Sequence, residues 1–185
     1  MNMKKEIKPS YLILSLHGPE KAGLFHALTK LCKTCQCLIL ESHATQMGDH
    51  LGMVLRLSGH WNAMAKFETQ FPLFQKKWEC QAVSQRIDAI VPNEDRTLAY
   101  NMQAISFNTV DVIPELLKFF HQRKIKLLQL NSETYHTSRS STPLCAITAV
   151  ALIPHHLNIA TLREQFMVHC EEYNLDAILE PQKLA

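Results

Sequence analysis

The sequence lacks any apolar run long enough to cross a membrane. Its longest uninterrupted apolar stretches are residues 11–14 and 149–153, whereas a transmembrane helix needs about 20 such residues. A secretory leader is not indicated either, because Ser15 and His17 interrupt the first apolar run before a leader core of about 7 to 15 residues can form. We therefore expect a soluble, cytoplasmic protein with no membrane contact.

An excess of charge of one sign is also missing. The 185 residues include 19 lysines and arginines against 17 acidic residues, which gives a formal net charge of +2. Such a balance produces no broad positive field for phosphate backbones, and no helix-turn-helix motif occurs. We therefore expect no direct nucleic-acid binding. A nucleic-acid-binding module stays open as an alternative, in which the basic stretch at residues 121–126 and an open sheet face would make the contacts.

Signatures of catalysis and of cofactor binding do not occur. The sequence contains no phosphate-binding loop, no dinucleotide-binding fingerprint and no nucleophile elbow. Missing motifs do not exclude an enzyme, but nothing in the sequence supports one, and our prediction is a protein that is not an enzyme and has no cofactor. A metabolic enzyme on the same scaffold remains an alternative, because a fold does not determine a function.

Six cysteines in a chain without a secretory leader predict reduced, buried thiols rather than disulfides. Cys32, Cys35 and Cys37 are close enough in sequence to share a zinc ion, for which His43 or His50 could supply a further ligand. The first two lie on the apolar side of a predicted helix and the third begins a predicted strand. With no second Cys-x-x-Cys pair to complete a site, we favour packing in the core over metal binding.

Apolar periodicity predicts the same order of elements twice along the chain. In the first half it indicates strands at 11–17, 37–47, 51–59 and 78–91, a helix from 24, and a helix from 61 that Pro72 ends. In the second half it indicates strands at 98–107, 125–135, 143–153 and 175–181, and helices from 112 and from 159, the second capped by Asn158. A shift of 88 residues places Leu28 on Leu116 and Ile39 on Leu127, as expected for an internal duplication.

The order βαββαβ in each half is that of a ferredoxin-like unit, in which two helices cover one face of a four-stranded antiparallel sheet. The stretch 92–97 is polar, begins with proline and lacks apolar periodicity, which is typical of a linker. We therefore predict an α+β protein with two such domains. Its parts are an N-terminal tail at 1–10, domain 1 at 11–91, the linker at 92–97, domain 2 at 98–181 and a C-terminal tail at 182–185.

The turn between the first strand and the first helix, within "HGPEKAGLFHAL" at residues 17–28, is the candidate binding site. Gly23 lets a ligand approach the backbone, and the helix that follows presents unpaired N–H groups suited to a carboxylate. Lys21 could bind the same carboxylate and Glu20 could accept hydrogen bonds from an ammonium group. An amino acid carries both groups, although the glycines can also serve only to turn the chain. The predicted effector-binding residues are Gly18, Pro19, Glu20, Lys21, Ala22, Gly23 and Leu24.

Two units of this kind, the first with a Gly-x-x-x-x-Gly-Leu turn after its opening strand, resemble tandem ACT domains over nearly the whole chain. In that family this turn commonly reads Asp-Arg-Pro-Gly and lines the site of an amino-acid effector. The corresponding residues here are Glu20, Lys21, Ala22 and Gly23. An asparagine that is frequent at the start of the family's second strand is replaced by Leu38 in the first unit and by Lys126 in the second.

A free-standing pair of ACT units of this length, with "CQCLILES" and "LSGHWNA" in its first half, is similar to transcriptional repressors that respond to glycine. The resemblance implies a regulator that senses glycine or a related small metabolite and acts through a protein partner, a DNA-binding transcription activator. It also implies pairing of units or of chains, as in a homodimer. A ligand-free interaction scaffold stays open as an alternative because Ala22 and Leu38 depart from the family pattern. The turn at 107–113 has no glycine, so we expect it to serve packing.

Overall fold

The computed structural model describes residues 9–89, 96–107, 110–136 and 142–182. The chain divides into two compact units, Met1–Pro92 and Asn93–Ala185. Most of the predicted linker and of both predicted tails lies outside the described residues, and the first strand of the second unit begins at Thr97. The domain bounds given above therefore stay a prediction.

The first unit has the element order βαββαβ. Its elements are β1 (Ser10–Pro19), α1 (Leu24–Thr34), β2 (Leu38–Met47), β3 (His50–Gly59), α2 (Trp61–Trp78) and β4 (Gln81–Ile87). The strands form an antiparallel sheet in the order β2-β3-β1-β4. Leu12, Leu14 and Leu16 of β1 are buried, because alternate side chains of a strand point to the same face. Both helices pack on this face, where their apolar residues complete the core.

The second unit repeats this arrangement. Its elements are β5 (Thr97–Ser106), α3 (Val112–Gln122), β6 (Lys126–His136), β7 (Pro143–Pro154), α4 (Ile159–Glu172) and β8 (Asp176–Pro181). The antiparallel sheet has the order β6-β7-β5-β8, and the Asn158 side chain caps α4 by accepting a hydrogen bond from the Thr161 N–H at 3.1 Å. The predicted fold class is confirmed. None of the helices in the described part of the chain combines the length and the apolar character of a membrane span.

The internal duplication extends to details of the backbone. The pairing of β2 with β3 shifts at Leu40, and the pairing of β6 with β7 shifts at Leu128, so that each sheet has an irregularity 88 residues from the other. Gln36 and Lys124, also 88 residues apart, both have positive φ angles, of 61° and 56°. The two units therefore share the same turn from first helix to second strand.

Helix α2 continues through Pro72, so the predicted end of this helix was wrong. Proline removes one backbone hydrogen bond and crowds the preceding turn, but the apolar side of the helix extends beyond it. Four rings follow one another there, with centroid distances of 5.2, 5.8 and 6.0 Å: Phe67, Phe71, Phe74 and Trp78. Burial of the three phenylalanine rings, with the half-buried Trp78 packed beside them, offsets the cost of the proline. Trp78 consequently belongs to the helix, and β4 begins at Gln81 rather than at residue 78.

Candidate functional site

The predicted binding residues form the turn that joins β1 to α1. Strand β1 remains paired with β3 up to Pro19, which lies opposite His50. The N–H of Glu20 then donates a hydrogen bond to the carbonyl of Asp49 at 2.7 Å. This bond attaches the turn to the tip of the β2–β3 hairpin, beyond which Ala22 and its neighbours are exposed.

Gly23 lies at the N-terminal end of α1 and leaves this end of the helix open to a ligand. Its φ of 91° lies in the left-handed region that favours glycine, and it occupies the N-cap position of α1 without a capping side chain. The N–H of Ala27 donates to the Gly23 carbonyl at 2.8 Å. The preceding N–H groups, those of Phe25 and His26, donate to no other residue in the described part of the chain. The start of α1 thus has the unpaired donors that an anion can accept.

Lys21 has a partner that the sequence analysis missed. Its Nζ lies 2.7 Å from Oε2 of Glu79, and the hydrogen bond from Lys21 holds the pKa of the Glu79 carboxyl below its usual value. The two side chains are 36% and 72% exposed, and such exposed ion pairs contribute little to stability. Lys21 can therefore exchange Glu79 for another carboxylate at small cost.

Gly18 has a packing role. It is buried, and a Cβ added to it would lie 2.8 Å from the Cβ and 2.9 Å from the Cα of Cys80. Leu24 is also buried, in the core of the unit. Of the seven predicted residues, two therefore pack inside, and Pro19 is the half-buried last residue of β1. The remaining four, from Glu20 to Gly23, have side chains and backbone that can reach a ligand.

Two neighbours of the turn come from distant parts of the sequence. Glu79 is 58 residues from Lys21 and has a left-handed φ of 54° just after α2. A Cβ on Gly23 would lie 3.8 Å from Cη2 of Trp78, so the indole borders the turn. One sequence signal could have indicated Glu79. An acidic residue directly after a helix is unfavourable next to the negative end of the helix dipole, and it therefore suggests a nearby cation.

The corresponding turn of the second unit differs in backbone and charge. Asp111 stands 88 residues after Gly23, at the N-cap position of α3, with a φ of −94°. The Asp111 carboxylate places a negative charge at the N-cap position, where Gly23 of the first unit has no side chain. Ser106 takes the place of Gly18 and is buried. Residues 108 and 109 lie outside the described part of the chain, and the packing role of this turn stays a prediction.

The clustered cysteines lie in the core of the first unit, as predicted. Burial raises the pKa of Cys32 to about 12 and that of Cys37 to about 11. Both side chains are therefore protonated thiols in the core, where they pack as small apolar groups. Among the residues that the structure describes, no group of three or more histidine, cysteine or acidic side chains is placed to hold a metal ion.

The basic stretch at 121–126 uses its arginine within the second unit. The Arg123 guanidinium lies over the Phe119 ring, 3.8 Å from the centroid. It donates hydrogen bonds to the Phe119 carbonyl at 3.1 Å and to the Gln165 side chain at 3.2 Å. The hydrogen bond to Phe119 gives a partner to a backbone carbonyl in the last turn of α3. These contacts together make Arg123 less available to a nucleic acid.

Comparisons with known proteins show what this chain is similar to. Residues 10–85 match the family model of the ACT domain. The glycine cleavage system transcriptional repressors of Escherichia coli K12 and Shigella flexneri are each 23% identical to this chain over 164 residues, which cover 89% of the chain and 86% of each relative. The predicted resemblance to ACT domains is confirmed.

Two solved structures share the fold over most of the chain. A crystal structure that carries the provisional name of a glycine cleavage system transcriptional repressor has a TM-score of 0.73 and 21% identity, and covers 95% of this chain and 99% of its own. A protein of unknown function from Galdieria sulphuraria has a TM-score of 0.74 and 16% identity, and covers 95% and 100%. At these identities the likeness establishes the fold.

Proposed function

We propose that this chain, a relative of the glycine cleavage system transcriptional repressor with an ACT-domain match in its first unit, is a non-enzymatic, amino-acid-sensing regulator of transcription. It binds glycine or a related small amino acid. It represses transcription by contacting a DNA-binding activator rather than by binding DNA itself. The observation that carries the effector site is the open start of α1 at Gly23, with the Lys21 ammonium group in the same turn.

The proposed site matches both charged groups of an amino acid. The effector carboxylate accepts hydrogen bonds from the unpaired N–H groups at the start of α1 and replaces Glu79 as the partner of Lys21. The ammonium group then binds the carboxylate of Glu20, which is exposed and forms no ion pair with another described residue. Binding affects the activator only if the effector prefers one arrangement of the turn over another.

A thermal melt with glycine, and with each other common amino acid at millimolar concentration, tests the effector site. A ligand at about 100 times its dissociation constant raises the free energy of unfolding by about 2.7 kcal/mol. The variant Gly23→Asp places a carboxylate where the effector carboxylate would bind and should abolish the rise in melting temperature. Gly23→Asn is the matched control, because it has the same size and a similar tolerance of positive φ but no charge.

Several results would contradict the proposal. If no amino acid raises the melting temperature of the unmodified protein, the turn holds no effector. The protein would then be a ligand-free interaction scaffold rather than an amino-acid sensor. If Gly23→Asp responds as strongly as Gly23→Asn, an effector binds elsewhere. For the route through a protein partner, the contrary result is a complex of this chain alone with duplex DNA whose affinity falls steeply with salt.

A further inference from the structure

The ion pair between Lys21 and Glu79 joins the turn to the C-terminal end of α2. Glu79 directly follows this helix, and its backbone is held there, because its N–H donates to the Gln75 carbonyl and the next residue, Cys80, is buried. The side chain of Glu79, by contrast, is 72% exposed. The Glu79 carboxylate can therefore turn from one partner to another while the backbone that carries it stays in place.

Opening this ion pair favours a ligand that carries charges of both signs. A simple carboxylate that displaces Glu79 from Lys21 forms one ion pair and breaks another of the same kind, and it leaves Glu79 without a partner. A simple amine that displaces Lys21 from Glu79 leaves Lys21 without a partner. An α-amino acid carries an ammonium group and a carboxylate on neighbouring carbon atoms, and it gives each of the separated side chains a new partner.

We propose that Glu79 is a specificity-determining residue of the effector site. When the ion pair opens, Lys21 binds the carboxylate of the effector, and Glu79 binds its ammonium group together with Glu20. This role of Glu79 rests on the proposed function and names the ligand class of the site, which is free α-amino acids. A hydroxy acid of the same size lacks the ammonium group, so it leaves Glu79 unpaired and binds more weakly.

Trp78 borders the same space and provides a signal of binding. Its Cη2 atom lies 3.8 Å from the position of a Cβ on Gly23, and Glu79 is the next residue in the chain. The second of the two tryptophans, Trp61, is the first residue of α2, 17 residues or about 25 Å away along the helix. The variant Trp61→Phe therefore leaves one tryptophan, whose fluorescence should change when a ligand enters the turn.

Fluorescence titrations of the full chain with Trp61→Phe compare glycine with glycolate, which has a hydroxyl group in place of the ammonium group. We expect glycine to bind about fivefold more tightly than glycolate, the effect of one exposed ion pair. In the further variant Glu79→Gln, which keeps the size of the side chain, this preference should disappear, because only glycine loses a partner. A side chain with a purely structural role would change both affinities alike.

Glu171→Gln is the matched control, since it makes the same change at an exposed glutamate of α4 and should leave the preference for glycine intact. Circular dichroism establishes that each variant is folded. If Glu79→Gln retains the full preference, or if Glu20→Gln alone removes it, the role of Glu79 is overturned while the effector site stands, because glycine still binds. If no amino acid changes the fluorescence or the melting temperature, the proposed function fails and the role of Glu79 fails with it.

Discussion

Replacing Gly18 by alanine should destabilise the first unit because no room exists for a side chain at this position. The added Cβ would lie 2.8 Å from the Cβ and 2.9 Å from the Cα of Cys80. Carbon atoms in contact are normally about 3.5 to 4.0 Å apart. Strand β1 and the segment before β4 must therefore separate by about 1 Å, and backbone atoms have to move because one of the two contacts is a Cα.

The expected loss follows from two opposing contributions. Overpacking of a tight core typically costs about 1 to 3 kcal/mol. Alanine also restricts the unfolded chain more than glycine does, which reduces the loss of stability by about 0.4 to 1 kcal/mol. The net loss should be about 1 to 2 kcal/mol. For a unit of fewer than 100 residues this corresponds to a fall of roughly 4 to 16 °C in melting temperature.

Urea unfolding and thermal melts of Gly18→Ala and Gly52→Ala measure the effect against a matched control. Gly52 lies in the neighbouring strand β3, where the nearest atom to an added Cβ is Thr45 Cγ2 at 3.8 Å, an ordinary contact. We expect Gly52→Ala to be neutral or slightly stabilising. Equal stabilities of the two variants would refute the packing role of Gly18 and return this glycine to the group of candidate ligand contacts.

Three further outcomes are expected. Pro72→Ala should stabilise the protein by about 1 to 3 kcal/mol in urea unfolding, because it restores a helical hydrogen bond in α2; a loss of stability would contradict this. Hydrogen bonds from Arg86 lower the folded-state pKa of Glu68, so the stability that they contribute is present above the ordinary carboxyl pKa and is lost as the pH falls through the lowered value. Acid unfolding of Glu68→Gln should accordingly show a weaker pH dependence below about pH 5 than the unmodified protein. Cys32 and Cys37 should resist a thiol reagent at pH 8 in the native state and react in urea; rapid native labelling would show that they are accessible.

Much of the candidate site could be read from local sequence, and its surroundings could not. The positive φ of Gly23 and the start of α1 at Leu24 follow from a glycine placed between a strand pattern and a helix pattern. The ion pair between Lys21 and Glu79 could not be predicted from the sequence, because Glu79 is 58 residues away and comes close to Lys21 only when α2 ends beside the turn. The packing role of Gly18 was hidden for the same reason, since Cys80 is also distant in sequence.

The sequence by itself determined the order of elements, the duplication and the position of the turn, because these depend on apolar periodicity and on glycine at particular positions. Only the tertiary structure decided that α2 passes through Pro72, since the burial of Phe74 and the packing of the half-buried Trp78 against it outweigh the local preference of proline. It also decided which charges lie together. Ion pairs such as Lys21 with Glu79 depend on distances in space that packing sets, and no local pattern encodes those distances.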